Sequence, residues 1–330
     1  MEASMLDQPK SLMPTPRSTV LEDGPAKLYR FHAATDVALV DAAPVLLVPS
    51  MINRWYVLDL RKGCSVVEAF VNAGLDVWCL DWGTPEDHDR YFTWADALAR
   101  LDRMLRRVIR ETGRPKVSVL GYCMGATLSS VHAALHPERY AGFVNLLGPI
   151  DFSKSGLLGL MTDPRWFDAE AVAEAGNVAP HQMQAGFKLL RPTQDLAKLV
   201  TVIDKAFDPA FREAYEALEA WAGDNIAFPA AAYTTYIEEL YQQNLLVQGQ
   251  HYVGGKRVDL KHITCPLLTV AADKDTICPP NAAVAINAVV GSKDTKVLAV
   301  PGGHVGAVVG SKAADKLYPA LITWMKERNA

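Results

Sequence analysis

The sequence predicts a doubly wound, mostly parallel α/β sheet with an inserted helical cap. Three observations carry that expectation. Apolar runs of strand length recur, with helical patterns between them. The rhythm stops between about Asp151 and Gly255, then resumes. A thiol, Cys123, sits in a tight Gly121-Tyr122-Cys123-Met124-Gly125 turn, where an apolar run gives way to a helical pattern. The 330 residues, 50% hydrophobic and 21% charged, are ample for a large core.

The first twenty of the 43 residues before the core are polar and Pro-rich and lack an apolar h-region. They read as a loose N-terminal arm. The expected strands are Val45–Val48, Val77–Leu80, Val117–Leu120, Phe143–Leu147, Leu267–Ala271 and Val297–Val300. Such runs fit strands covered on both faces, as in a parallel sheet. Trp94–Thr112 repeats apolar residues at helical spacing, and Gly113 stops it. Ala126–Leu135 follows the thiol turn and ends before Pro137. Ala313–Lys326 places Leu317, Leu321 and Trp324 on one face. Between the two strand-rich blocks, helices are expected over Ala169–Gly176, Thr193–Phe207, Pro209–Ala222 and Ala230–Gln243. The expected organisation is an arm over 1–43, a core over 44–150 and 256–330, and a cap over 151–255. The cap aromatics read mostly as core, some as the lining of an acyl tunnel.

Several classes of function are disfavoured. The net charge of −4, with no basic stripe, argues against nucleic acid. No run of 18 apolar residues exists to span a membrane, so a cytoplasmic protein is expected. Cys64, Cys79, Cys123, Cys265 and Cys278 are scattered, odd in number and form no Cys-x-x-Cys pair, which suggests neither disulfides nor zinc. The other four read as small buried hydrophobes. His132 and His136 share a helix face but have no third ligand nearby in sequence. No metal or cofactor is expected.

A Gly-x-nucleophile-x-Gly turn between strand and helix is a nucleophile elbow. Its strain lifts the side chain clear of the sheet, and the backbone N–H of Met124 then faces a developing oxyanion. The helix N-terminus favours a thiolate there. A thiol nucleophile needs a base, and the base an orienting acid. Chain order in such folds is nucleophile, acid, His. His304 follows the last apolar run in Pro301-Gly302-Gly303-His304. Two acids precede it, Asp273 and Asp275. Asp275 is the expected partner, from a turn before Pro279 and Pro280; Asp273 reads as a loop cap.

Several segments together carry a resemblance: VLLVPSMINRWYVLDL (45–60), GLDVWCLDWGTPEDHDR (74–90), GYCMGA (121–126), YIEELYQQNLLVQGQHYVGGKRVDLKHITCPLL (236–268), ADKDTICPP (272–280) and PGGHVGAVVGSKA (301–313). The chain resembles the catalytic subunit of polyhydroxyalkanoate synthases, closest to the class III type, in the α/β-hydrolase superfamily. The resemblance implies a catalytic triad of Cys123, Asp275 and His304, with the backbone of Ile52 as second oxyanion donor. It implies a hydroxyacyl-CoA substrate, a growing polyester, a homodimer, a separate non-catalytic subunit and work at the polyester granule surface. Two departures are visible: Cys-Met-Gly-Ala replaces the usual Cys-Gln-Gly-Gly, and Thr276 stands where the family has His.

A thiol suits that chemistry. Acyl transfer from CoA to Cys exchanges one thioester for another, so the acyl group stays activated. General acid–base help is worth ~10²–10⁴-fold, and each oxyanion donor roughly 3 kcal/mol. Two other readings stay open: a cysteine hydrolase of the same fold, such as a thioesterase or polymer depolymerase, and a non-catalytic granule-binding subunit. Dienelactone hydrolases share the elbow but place the acid much closer to the Cys than the 275 − 123 = 152 positions found here.

Overall fold

The computed structural model describes residues 12–190 and 207–328. Eight strands form one sheet: β1 (Arg17–Asp23), β2 (Ala26–Phe31), β3 (Val45–Val48), β4 (Val77–Asp81), β5 (Val117–Tyr122), β6 (Tyr140–Leu146), β7 (Leu267–Ala272) and β8 (Thr295–Val300). Their spatial order is β1-β2-β4-β3-β5-β6-β7-β8. From β4 to β8 every pairing is parallel. β1 and β2 add an antiparallel hairpin at the β4 edge.

The continuous apolar runs have a packing reason. In β3, Leu46 and Val48 join the core on one face, while Val45 and Leu47 join the core on the other. Helices α2 (Trp94–Thr112) and α3 (Met124–Leu135) cover the first face, and α1 (Val66–Asn72) and α6 (Ala313–Lys326) cover the second. With both faces buried, period-2 alternation is lost. Thr93 and Asp96 start α2 with a capping box, and Gly113 closes it in a left-handed conformation. In α6, Leu317, Leu321 and Trp324 are all buried, as their spacing requires.

The N-terminal stretch departs from the arm expected over 1–43. Residues 17–31 are two strands of the sheet, turned at Gly24-Pro25. Ala26 and Leu28 are fully buried, while β1 is mostly exposed. An edge hairpin with one wet strand reads as polar in sequence, which hid it.

No segment between β6 and β7 joins the main sheet among the described residues. This region holds short helices over Leu157–Met161, Ala169–Glu174 and Pro180–Leu189, then α4 (Pro209–Gly223) and α5 (Ala230–Thr235). The helices at 157–161 and 180–189 were not expected. The expected helix Thr193–Phe207 lies outside the described residues apart from its last. α5 runs into a π-helix, Tyr236–Gln242. Of the aromatics expected in the cap core, Trp221, Phe228, Tyr233 and Tyr236 are buried. Trp166 and Phe207 are exposed, so they pack in no core.

Candidate active site

Strand β5 ends at Tyr122 and α3 begins at Met124, which leaves Cys123 alone in the turn. Its backbone lies at φ 55°, ψ −128°. A non-glycine residue held there stores strain of about 1–3 kcal/mol, kept only where neighbours over-determine it. Cys123 donates its N–H to the Leu146 carbonyl at 3.0 Å and accepts from the Ala126 N–H at 2.9 Å. The flanking glycines are required by close approach. A Cβ on Gly121 would stand 2.4 Å from Ala126 Cα, and one on Gly125 would stand 2.0 Å from the Val48 carbonyl oxygen.

The contact at Gly125 presses the end of β3, and the loop after it, against the elbow. That loop carries Ile52. Met124, as first residue of α3, has an N–H with no helical acceptor. The Ile52 N–H makes a long 3.4 Å bond to Ser50 Oγ. The two expected oxyanion donors thus sit on touching segments, one of them weakly engaged.

Strands β7 and β8 pair in parallel up to Ala272 and Val300, so the loops that follow run side by side. The two acids take different parts there. Asp275 Oδ2 bonds His304 Nδ1 at 2.7 Å. Its Oδ1 accepts from the N–H groups of Ile277 and Cys278, at 2.9 Å each. Asp273 accepts from the Gly302 N–H at 2.8 Å and ties down the glycine loop. The His304 ring stacks on Tyr122, with centroids 5.4 Å apart.

With Nδ1 held by Asp275, the other ring nitrogen, Nε2, is buried and has no hydrogen-bond acceptor at ordinary distance. Burial alone would lower the His304 pKa. The negative charge of Cys123, the Asp275 bond and contact with the thiol outweigh burial and push it up to about 10. Cys123 and Asp275 therefore both act on the His304 ring. Chemically, this set can hold a thiolate beside an imidazolium that a carboxylate orients.

Three aromatic rings roof this set. Phe152 lies 4.8 Å from Tyr241 and 5.7 Å from Tyr236, and the two tyrosines lie 5.5 Å apart. Burial raises both phenol pKa values, and the charge of Cys123 adds to it. The two tyrosines are among the cap aromatics that the sequence offered for core or tunnel, whereas Phe152, far from them along the chain, carried no signal.

The cap is fastened to the same loop that carries Ile52. Asp224, after α4, accepts from Arg54 Nε and Tyr56 Oη, both at 2.9 Å. Trp221 donates to the Arg54 carbonyl at 3.0 Å. The Ile226 N–H reaches the Ile52 carbonyl at 3.4 Å.

A second cluster corrects one expectation. His132 and His136 do have a third ligand-type group near them, Asp102 of α2, with candidate ligand atoms within 4.8 Å of one another. Asp102 is already held by Arg106 at 2.9 Å and by Arg139. His132 uses Nε2 on Asp102 at 3.1 Å and Nδ1 on Tyr140 Oη at 2.9 Å. Burial, then the nearby His136, lowers the His132 pKa to about 3. The cluster is a polar tie between α2 and α3 whose acid the arginines occupy.

Comparison with known proteins places this geometry. Residues 43–311 match the family model described as alpha/beta hydrolase fold. The monoacylglycerol lipase of Paleococcus ferrophilus superposes with a TM-score of 0.56 at 16% identity, covering 91% of this chain and 98% of that one; at that identity the likeness concerns the fold. The poly(3-hydroxyalkanoate) polymerase subunit PhaC of Allochromatium vinosum is 31% identical over 317 residues, covering 95% of this chain and 89% of that protein. The subunit of the same name from Haloferax mediterranei is 32% identical over 319 residues, covering 96% of this chain. The chain spans 64% of that relative's length. An elbow with cysteine on this sheet, and near full-length likeness to polymerases, agree: the chain belongs to the poly(3-hydroxyalkanoate) polymerase family of the α/β hydrolase fold.

Proposed function

We propose that this chain is the acyl-transferring subunit of a polyester polymerase, acting on a short-chain (R)-3-hydroxyacyl-CoA such as 3-hydroxybutyryl-CoA. The observation that supports it most is the 2.7 Å Asp275–His304 bond beside a thiol at a strained elbow. The likeness to polymerases supplies the substrate class.

In the scheme, His304 takes the Cys123 proton. The thiolate attacks the thioester carbonyl, the bond to CoA sulfur breaks, and the imidazolium proton goes to the leaving CoA thiolate. Met124 and Ile52 N–H groups receive the oxyanion; Ile52 releases Ser50 Oγ to do so. Acylation removes the negative charge that most raises the His304 pKa. The ring, neutral after giving its proton to CoA, is then the base. It takes the proton of the 3-hydroxyl on the next unit, and that oxygen attacks the acyl-Cys123 thioester. Asp275 holds the ring orientation through both steps. The scheme calls on no metal and no cofactor beyond the CoA ester. A homodimer, a separate non-catalytic subunit and a place on the polyester granule belong to the same reading.

The test is CoA release from 3-hydroxybutyryl-CoA, with the acyl product followed in parallel. Expected are insoluble polyester from the native protein and none from Cys123→Ala. Stoichiometric free 3-hydroxybutyrate would instead make the chain a cysteine hydrolase. No CoA release, even with a class III partner subunit added, would overturn the substrate assignment.

A further inference from the structure

The roof over Cys123 contains two phenols where an apolar acyl chain would be served by plain hydrocarbon. Tyr236 and Tyr241 are five residues apart. On an α-helix of 3.6 residues per turn, positions five apart diverge widely around the axis. The segment Tyr236–Gln242 is instead a π-helix, whose bonds run between residues five apart. The Gln243 N–H accordingly donates to the Glu238 carbonyl at 2.9 Å. This winding brings the two tyrosines to one side, edge to face with centroids 5.5 Å apart, both edge-on to Phe152.

The loop carrying Phe152 starts beside the elbow, where Cys123 donates to the Leu146 carbonyl. The end of the π-helix is tied to that loop: the Phe152 N–H donates to Asn244 Oδ1 at 2.8 Å, and Asn244 Nδ2 donates to Asp151 Oδ1 at 2.9 Å. Tyr236 also packs on Trp94 and Phe228, which fixes it from behind. Tyr241 packs on Phe152 and Tyr236 and bonds the Tyr236 hydroxyl, but it is less buried than Tyr236. The charges of Cys123 and Asp275 both act on its phenol. A π-helical turn costs regular hydrogen bonding and is found mostly at functional sites; here its product is a pair of adjoining phenols.

We propose that Tyr241 is a specificity-determining residue whose hydroxyl hydrogen-bonds the 3-hydroxyl of the acyl group on Cys123. Tyr236 braces it. The proposal rests on the acyl-transfer reading above. With the carbonyl oxygen in the Met124–Ile52 donors, the 3-hydroxyl lies two carbons further, under the roof. A site that bonds a substrate hydroxyl discriminates against the analogue without it.

The experiment compares the first-turnover burst of CoA from 3-hydroxybutyryl-CoA and from butyryl-CoA, in native protein, Tyr241→Phe and Tyr236→Phe. The native protein should acylate faster with the hydroxylated ester. Tyr241→Phe should cut that preference by about tenfold, the scale of one hydrogen bond, by slowing the 3-hydroxybutyryl burst far more than the butyryl burst. Tyr236→Phe should cut it less. Equal slowing on both esters would make Tyr241 a packing residue and overturn the proposal, as would an unchanged preference. Failure of the native protein to release CoA from either ester would overturn the acyl-transfer reading instead.

Discussion

At Cys123 a single atom decides what the elbow can do. Serine in the same strained turn would give an oxygen ester, and much of the activation of the CoA ester would be spent before chain growth. The thiol keeps it. Its partner His304 has its pKa pushed up to about 10 while the thiolate is present. On the proposed scheme, the imidazolium that protonates the leaving group is thus retained until pH approaches 10. Acylation should show an alkaline limb there. Asp275→Asn removes one of the raising contributions, so that limb should move to lower pH and the maximal rate should fall. The pH profile of the acylation burst checks both effects; an unmoved limb would mean that Asp275 does not tune the ring. Cys123 and His304 were legible because both sit in glycine-rich turns after apolar runs. The choice between Asp273 and Asp275 rested on turn type, and the structure separates them by bonding partner: backbone Gly302 for one, His304 for the other.

Among the elements, the central strands and the two long helices were legible because each obeys a local rule, either a short apolar run or a helical stripe. α2 and α6 have the bounds that the sequence predicted. The β1–β2 hairpin obeys a weaker rule. Its only strong signals are the Gly24-Pro25 turn and the pair Ala26 and Leu28 two positions apart. The π-helix is beyond sequence periodicity altogether, since its register is fixed by tertiary contacts with Phe152 and Trp94. The hairpin's importance is testable. Leu28 is fully buried between β4 and α2. Leu28→Ala should destabilise the protein by about 2–5 kcal/mol, measured from urea unfolding. A loose arm would lose almost nothing.

Across the whole molecule, the loop after β3 does two things at once. It offers the Ile52 N–H to the elbow, and it anchors the cap through Asn53, Arg54 and Tyr56. On the proposed scheme, closing the site against water and shaping its oxyanion donors would therefore be one mechanical event. Asp224 is the acid that joins them, and it is partly exposed. Asp224→Ala should change stability by less than about 1 kcal/mol. It should nonetheless raise the share of free 3-hydroxybutyrate among products, read by chromatography after complete CoA release. An unchanged product ratio would place water exclusion elsewhere in the cap. No described helix is long and apolar enough to cross a membrane.

The cap leaves the sheet after Leu146 and returns at Leu267, yet the strands at those two points are direct neighbours. Pairing them closes a loop of about 120 residues, an entropic cost of about 4 kcal/mol by simple chain statistics. Strands β3 to β6 meet through shorter connections and can assemble first. Asp275 and His304 lie beyond the late closure, whereas Cys123 lies before it. On the proposed scheme, assembly in that order would hold the thiol apart from its base until the cap is in place. A partly folded chain would expose a nucleophile that nothing yet activates, and hydrolytic side reactions would wait for the finished enclosure.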